Sequence, residues 1–185
     1  TCKDVFVPIT VGGGIRKIED IQTALNAGAD KTAINTAAVR NPNFIKESSE
    51  VFGSQCIVAS IDAKKIANNK WEVYVDNGRE PTGKDVLEWA KEVESLGAGE
   101  IMITSIDKEG TKRGYDLELN KLISELVSIP IISSGGAGSK EHISDVIKNT
   151  YIDAASIASV FHYNFETVDS LKEYLINEEK IHIRL

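Results

Sequence analysis

The sequence predicts an α/β fold in which short parallel strands alternate with crossover helices. Runs rich in β-branched residues recur along the chain, and longer amphipathic segments separate them. These runs are almost continuously apolar, which is typical of parallel strands buried on both faces. One pattern of strand, glycine cluster and helix also occurs twice, which indicates an internal duplication. Strands that alternate with helices form βαβ units, so we expect a parallel sheet.

The apolar runs predict six strands, which span residues 5–11, 31–35, 56–62, 100–106, 130–134 and 153–159. The helices predicted between and after them span residues 18–28, 41–53, 82–97, 115–126, 139–149 and 166–177. Side chains that favour the position before a helix stand at several of these boundaries. We therefore expect helix caps at Asn41, Thr82, Asp116 and Ser139.

Residues 68–81 interrupt this rhythm of strands and helices. Trp71, Val73 and Val75 alternate with polar residues, and the turn pair Asn77-Gly78 follows them. This pattern predicts a small hairpin inserted after the third strand. An α/β barrel places substrate-facing structure at the carboxyl end of a strand, where this insertion lies.

The duplication predicts the type of barrel. Residues 8–15 and 130–138 each contain a proline, a strand and a glycine cluster, and each copy continues with a helix and a strand. Two further βα units lie between the copies. If each half of a barrel has four βα units, the second half has all four and the first half has only its last two. A complete (β/α)8 barrel takes about 250 residues. We therefore expect residues 1–185 to form a single domain with strands 3 to 8 of a half-barrel-duplicated (β/α)8 TIM barrel, without the first two βα units.

The composition disfavours several classes of function. The net charge of −7 at pH 7 argues against nucleic acid or an acidic membrane surface as a partner. No apolar run is long enough to span a bilayer. Cys2 and Cys56 show no metal or redox spacing and are interpreted as free thiols of a cytoplasmic protein. Because His142, His162 and His182 also lack metal-ligand spacing, we expect neither a metal nor another cofactor.

The two glycine clusters predict two phosphate sites. Gly13 and Gly14 follow the first strand, and Gly135 and Gly136 follow the fifth. Backbone N–H groups between a strand and a helix bind anions, and a missing Cβ lets phosphate oxygens approach closely. Two such sites across one barrel mouth favour a substrate with a phosphate at each end. The alternative is that the glycines only permit tight turns.

Two aspartates stand at the carboxyl ends of predicted strands. Asp62 ends the third strand, and Asp107 follows the fourth. A carboxylate at the mouth of a barrel is suited to general acid–base catalysis. The alternative is that each side chain caps its loop. Glu109, Thr104 and Ser134 are candidates to face the same cavity.

Several motifs, taken together, resemble one enzyme family. They are TVGGGIR (10–16), ADKTAINTAAV (29–39), SIDAKK (60–65), TSIDKEGTKRGYD (104–116), ISSGGAG (132–138) and ASVFH (158–162). This set resembles the cyclase subunit of imidazole glycerol phosphate synthase, the HisF family, over essentially the whole chain. The related isomerase family HisA shares the VGGGIR motif, whereas GTKRGYD and ASVFH resemble the cyclase.

The resemblance implies a reaction and a partner. Ammonia from a glutaminase subunit of the HisH type is joined to a bisphosphorylated ribulosyl aminoimidazole-carboxamide ribonucleotide. The products are imidazole glycerol phosphate, for histidine biosynthesis, and an aminoimidazole-carboxamide ribonucleotide. Two aspartates act as acid and base in this family. Asp62 matches the one on the fifth barrel strand, and the other belongs to a strand that precedes Thr1.

The resemblance also implies binding residues. Those that match the substrate and phosphate sites are Gly13, Gly14, Asn35, Thr36, Thr104, Asp107, Glu109, Gly110, Ser134, Gly135, Gly136, Ala158 and Ser159. Lys31 and Glu100 precede their strands and by themselves are interpreted as solvated charges. The resemblance instead matches them to the charged gate at the amino-terminal face of the barrel, where ammonia enters from the partner.

Two departures from the family pattern leave alternatives open. Glu109 stands where the family has Asp in DxDGT, and Asn77 precedes Gly78-Arg79 where many members have a second glycine. Both are compatible with a HisF-like paralogue that supplies ammonia to another amidotransferase in sugar modification. A third alternative is an inactive, phosphate-binding partial barrel, and we expect a fragment without the first two strands to be inactive on its own.

Overall fold

The computed structural model describes residues 5–183, and its framework is a parallel sheet with six strands in sequence order. These strands are β1 (Thr10–Gly12), β2 (Lys31–Ile34), β3 (Ile57–Ala67), β6 (Glu100–Ser105), β7 (Ile131–Ser134) and β8 (Ala154–Ala155). Each strand pairs in parallel with the next one in this series. The sheet curls as a (β/α)8 barrel sheet does, and the α/β barrel class predicted from the sequence is confirmed.

Helices follow the strands and cover one face of the sheet. They are α1 (Ile18–Asn26), α2 (Thr36–Arg40), α3 (Asn43–Phe52), α4 (Val86–Ser95), α5 (Leu117–Ser124), α6 (Lys140–Asn149), α7 (Ser159–His162) and α8 (Val168–Glu173). A 3-10 turn, Ser54–Cys56, precedes β3, and a π-helical segment, Tyr174–Glu178, follows α8. The short helices α2 and α7 are absent from the sequence prediction, since five and four residues are too few to show a helical period.

The two faces of the sheet differ in burial. Ile57, Ala59 and Ile61 of β3 pack against the helices and are at most 1% exposed. Their neighbours Ser60 and Asp62 point to the opposite face, here called the inner face, and are half-buried. The apolar core therefore lies between sheet and helices, and the inner face carries polar side chains towards the carboxyl ends of the strands.

The first and last parallel strands are shorter than the sequence predicts. The predicted strand 5–11 is a strand only over Thr10–Gly12, and 153–159 only over Ala154–Ala155. Pro8 has no N–H to donate to a ladder. Beyond Ala155, Ser156 N still donates to Ser133 O at 2.7 Å, and the chain then leaves the sheet and enters α7 at Ser159. Apolar composition alone does not reveal where pairing stops.

The predicted helix caps are only partly correct. Asp116 caps α5 by accepting a hydrogen bond from Leu119 N, as predicted. Thr82 is wrong as the cap of α4. Its hydroxyl donates to Val73 O, while Asp85 accepts from the first turn of α4. Thr82 belongs to an inserted strand that the sequence pattern assigned to the helix.

Two further cap predictions also differ from the structure. The first residue before α3 is Pro42, and Asn41 instead follows the end of α2. Ser139 occupies the position before α6 but accepts no hydrogen bond from the first turn of that helix. The first difference concerns where the helix begins, and the second concerns side-chain geometry; residue type alone fixes neither.

The predicted hairpin is present and larger than expected. Strand β3 continues past the sheet to Ala67 and pairs with antiparallel β4 (Lys70–Val75), which pairs with β5 (Glu80–Asp85). Asp76, Asn77 and Gly78 form the turn between β4 and β5, and all three have positive φ. We call residues 64–85 the hairpin. Trp71 and Val73 of β4 belong to the same apolar core as the sheet.

The expectations about membrane spans and cysteines can be compared with the structure only over the described residues. Across residues 5–183, no helix has the length and apolar character needed to cross a membrane. Cys56 is a free, half-buried thiol, and Cys2 lies outside the described residues.

Candidate functional site

Asp62 lies on the inner face near the carboxyl end of β3. In the sheet register it stands beside Thr104 of β6, which in turn stands beside Ser134 of β7. Asn35, directly after β2, donates from Nδ2 to Asp62 Oδ2 at 3.0 Å. Polar side chains from four successive strands therefore meet at one edge of the sheet.

The surroundings of Asp62 favour its protonated form. Burial raises the pKa of its carboxyl above the usual range, and the nearby Glu109 carboxylate adds to this effect. The hydrogen bond from Asn35 acts in the opposite direction but does not outweigh burial. A carboxyl whose pKa is raised towards neutrality is better suited to donate and accept protons than an ordinary surface aspartate.

A cavity of about 760 Å³ opens beside Asp62. Gly13 and Gly14 line it from the β1–α1 loop, and Asn35 and Thr36 line it from the start of α2. Both glycines have positive φ, and a Cβ on either would meet nothing within 4 Å. These two glycines therefore leave their backbone open towards the cavity, as the phosphate-site prediction requires.

Two backbone amides just before α1, the helix behind the first glycine cluster, already have a hydrogen-bond partner. The Asp20 carboxylate accepts hydrogen bonds from Arg16 N and Lys17 N, at 2.9 and 3.1 Å. These amides precede α1 and are already occupied by an anionic side chain. These two amides are therefore not free to bind an anion in the cavity, which is lined instead by the glycine loop and the start of α2.

The second glycine cluster lines a smaller cavity of about 50 Å³. Seven residues proposed from the sequence line it, namely Glu109, Gly110, Ser134, Gly135, Gly136, Ala158 and Ser159. Ser156 and Ala137 complete the lining. Strands β7 and β8 carry the loops of this cavity, so the two cavities lie at the same edge of the sheet.

The glycines of the second cluster have a different environment from those of the first. A Cβ on Gly136 would lie 2.2 Å from Gly114 O, and one on Gly138 would lie 2.3 Å from Lys112 O. Gly114 N also donates to Gly136 O at 2.8 Å. The loop between β6 and α5, residues 106–116, therefore rests directly on this cluster, and close backbone packing is one reason for its glycines.

Two residues predicted for the site lie apart from both of these cavities. Thr104 is on the inner face between Asp62 and Ser134 but lines neither cavity. Asp107 accepts a hydrogen bond from Lys65 N at 2.7 Å, so it joins the β6–α5 loop to the hairpin. The partner lies 42 residues away along the chain, so this contact differs from the local loop cap considered as the alternative for Asp107.

Lys31 and Glu100 form an ion pair at the opposite end of the inner face. Both side chains are about three-quarters buried, with 27% and 19% of their surface exposed. Glu100 lies four residues before Thr104, which is about 13 Å along the strand. Ser60 and Met102 are on the inner face between the ion pair and the level of Asp62. The pair is therefore a specific contact and not two solvated charges.

Sequence reasoning missed several residues of the larger cavity. Arg16, Arg40, Asp76 and Asn77 line it in addition to the predicted residues. Asp76 and Asn77 reach it through the hairpin turn, and this contact depends on how the hairpin folds back. The turn pair Asn77-Gly78 was the only signal for it in the sequence. No cluster of His, Cys, Asp or Glu suited to a metal ion occurs within residues 5–183.

Comparisons with known proteins identify relatives over the whole chain. The family model for histidine biosynthesis proteins matches residues 1–166. The "imidazole glycerol phosphate synthase subunit HisF" of Hydrogenobaculum sp. (strain Y04AAS1) is 54% identical over 183 residues, which cover 99% of this chain and 72% of that protein. The HisF subunit of Bacillus cereus (strain G9842) is 55% identical over 185 residues, 100% of this chain and 73% of that protein.

Proposed function

The chain belongs to the histidine biosynthesis protein family, and we propose that it acts as the cyclase subunit of imidazole glycerol phosphate synthase. The substrate is the bisphosphorylated ribulosyl aminoimidazole-carboxamide ribonucleotide, and the second substrate is ammonia. The products are imidazole glycerol phosphate and an aminoimidazole-carboxamide ribonucleotide. The observation that carries the proposal is the position of Asp62 at the sheet edge where two glycine-lined cavities open.

Asp62 is the catalytic residue of this proposal. Its raised pKa and its position beside the larger cavity suit it to move a proton to or from bound substrate. Asn35 fixes one carboxylate oxygen through its Nδ2. The Oδ1 atom of Asn35 is buried and has no partner among the described residues.

The two phosphates of the substrate occupy the two cavities. Gly13, Gly14 and Thr36 hold one phosphate, and Gly136, Ala158 and Ser159 hold the other. In this proposal the six parallel strands correspond to strands 3 to 8 of a barrel, whose carboxyl-terminal edge is the usual place for such sites. The protein works in the cytoplasm.

As a subunit of a synthase, the protein has a glutaminase partner, as the names of its relatives imply. In this proposal the partner binds at the amino-terminal edge of the sheet. Ammonia enters beside the ion pair of Lys31 and Glu100 and passes along the inner face to Asp62. Val58 of β3 stands beside Glu100, and Ser60 follows it towards Asp62, so this path is lined first by an apolar and then by a small polar side chain.

The direct test of the function is turnover. We expect the intact protein to convert the bisphosphorylated substrate when ammonium salt is supplied at alkaline pH, where free ammonia is available. Product formation can be followed by chromatography. Absence of turnover with correctly folded protein would contradict the proposal and favour a paralogue that delivers ammonia elsewhere.

Replacing Lys31 by methionine tests the entry of ammonia. The variant keeps the length of the side chain but leaves Glu100 without its ion-pair partner. We expect glutamine-dependent turnover with the partner to fall about tenfold relative to turnover with free ammonia, a difference of about 1.4 kcal/mol in barrier. Lys46→Met is the matched control, because Lys46 forms only an exposed pair with Glu50 on α3. An unchanged ratio of the two activities in Lys31→Met would remove the ion pair from the path of ammonia.

A further inference from the structure

The hairpin, residues 64–85, contacts the first predicted phosphate site directly and is joined to the second one through the β6–α5 loop. One end of it lies against the start of α2, and the other lies against the β6–α5 loop. We propose that the hairpin fixes the separation of the two anion sites and thereby selects ligands by the distance between their two phosphates. Asp76 and Trp71 are its positioning residues. The inference rests on the proposed function, because it assumes a ligand that spans both cavities.

The first anchor of the hairpin is its turn. Asp76 N donates to Thr36 Oγ1 at 3.0 Å, so the Thr36 hydroxyl accepts one hydrogen bond and keeps its own proton to donate. The Asp76 carboxylate accepts from Arg40 Nη2 at 2.7 Å. Thr36 and Arg40 are four residues apart on α2, so they project from the same side of this helix. The turn is thereby held by its backbone and by its side chain.

The positive φ of the turn strengthens this argument. Asp76 has φ of 50°, a conformation that Asp and Asn tolerate better than most other residues. The residue type therefore serves both the conformation of the turn and the pairing with Arg40. Strand β4 adds a weaker contact, because Asn35 Nδ2 lies 3.4 Å from Tyr74 O. The hairpin turn thus determines the position of donors in the first site.

The second anchor of the hairpin is buried. Trp71 Nε1 donates to Asp116 Oδ2 at 3.1 Å, and the two residues are only 1% and 7% exposed. Asp116 ends the β6–α5 loop and also caps α5 through Leu119 N. Near the other end of this loop, Asp107 accepts from Lys65 N, as described above. Both ends of the β6–α5 loop are therefore tied to the hairpin.

The β6–α5 loop connects the hairpin to the second site. Gly114 N donates to Gly136 O, and the Tyr115 hydroxyl donates to Ser156 O, both at 2.8 Å. Glu109 and Gly110 of the same loop line the smaller cavity. A displacement of the hairpin would therefore move the walls of the second site as well as the Thr36 donor of the first.

A fixed spacing has a physical consequence for ligands with two phosphates. Once one phosphate is bound, the second phosphate of the same ligand has an effective concentration at the other site. That concentration is highest when the part of the ligand between its phosphates matches the distance between the two sites. A rigid hairpin gives one preferred length, and a hairpin loosened at either end accepts a broader range. A ligand with a single phosphate is insensitive to this spacing.

The experiment uses a series of alkanediol bisphosphates of increasing chain length, with inorganic phosphate as the single-site probe. Binding is measured by calorimetry, so turnover is not required.

Two variants each loosen one anchor of the hairpin. Trp71→Phe removes the N–H that reaches Asp116 but keeps an aromatic ring, and Asp76→Ala removes the carboxylate that pairs with Arg40. Trp89→Phe is the matched control, because Trp89 is a similarly buried indole in α4 whose N–H makes no hydrogen bond to the β6–α5 loop among the described residues. Its ring lies under Lys84 of the hairpin, and phenylalanine keeps a ring at that position. Asp76→Asn is the conservative rescue.

We expect the wild-type protein to prefer one length of bisphosphate. In Trp71→Phe and Asp76→Ala this preference should fall about tenfold, which corresponds to about 1.4 kcal/mol of coupling. Affinity for inorganic phosphate in Trp71→Phe, and the length preferences of Trp89→Phe and Asp76→Asn, should stay close to wild type. Because Asp76 lines the larger cavity, its variants are compared by length preference and not by their affinity for inorganic phosphate. An unchanged length preference in both anchor variants would overturn the inference even if the enzyme turns over its substrate. A sharp preference that the anchor variants abolish, in a protein that catalyses no cyclisation, would support the inference and contradict only the proposed function.

Discussion

Replacing Asp62 by asparagine is expected to reduce kcat by about 10²- to 10⁴-fold, the range that general acid–base groups contribute. The amide has nearly the same shape as the carboxyl group, and its oxygen can still accept the hydrogen bond from Asn35. It cannot exchange a proton in the way that the reaction requires. Steady-state rates with ammonia give kcat and KM separately. We expect KM to change little, because the proposed phosphate contacts of the glycine loops remain.

The same variant is expected to be more stable than the wild type at neutral pH. Burial raises the pKa of Asp62 in the folded state, so the folded protein holds this proton more tightly than the unfolded chain. The wild type therefore loses stability as pH rises from the ordinary aspartate pKa through the raised one, and Asp62→Asn does not. Below the ordinary value the carboxyl is protonated in both states, and this difference between the proteins disappears.

Thermal unfolding from acidic to neutral pH measures this effect. Asp145→Asn serves as the control, since Asp145 is an exposed residue of α6 far along the chain from the site. A melting temperature of Asp62→Asn that exceeds the wild-type value increasingly as pH rises above the ordinary aspartate pKa, together with lost activity, separates catalysis from folding. Wild-type kcat in a correctly folded Asp62→Asn protein would exclude Asp62 as the acid or base.

The parallel framework of the molecule was predictable because buried strands leave a strong signal. In the runs Ile57–Ile61 and Ile101–Ile103, every residue that faces the helices is apolar. Of the residues on the inner face, Val58 and Met102 are apolar and Ser60 is polar. The ends of elements were less predictable, as Thr82 shows. Its residue type suits a helix cap, but its hydroxyl donates a hydrogen bond to Val73 O across the hairpin. Such tertiary hydrogen bonds have no counterpart in local sequence.

The site shows the same division between local and tertiary information. Asp62, Asn35 and the glycines follow strands directly, so the strand pattern alone places them at one edge of the sheet. Asp76 and Arg40 reach the larger cavity only because the hairpin turn folds onto α2. The sequence pattern also assigns the same role, a phosphate site, to both glycine clusters and does not distinguish their surroundings. In the sequence both are glycine clusters between a strand and a helix, whereas only the second is found to pack under another loop.

This difference between the clusters predicts that alanine will act unequally at Gly136 and Gly13. Both glycines have φ near +100°, 104° and 92°, so an alanine Cβ introduces comparable backbone strain of about 1–2 kcal/mol at either position. Only at Gly136 would the Cβ also collide with a backbone, at 2.2 Å from Gly114 O and 2.8 Å from Gly114 C. At Gly13 it would enter open space.

We therefore expect Gly136→Ala to lower the free energy of unfolding by more than about 4 kcal/mol, the range reached when a substitution forces packed backbone apart. Gly13→Ala should cost only its backbone strain, and its main effect should be weaker binding of phosphate in the larger cavity. Urea unfolding of the two variants measures the difference. Equal losses of stability would show that the β6–α5 loop yields to Gly136→Ala without cost. In that case the loop would not be held on the second site, and the hairpin could not transmit its position there.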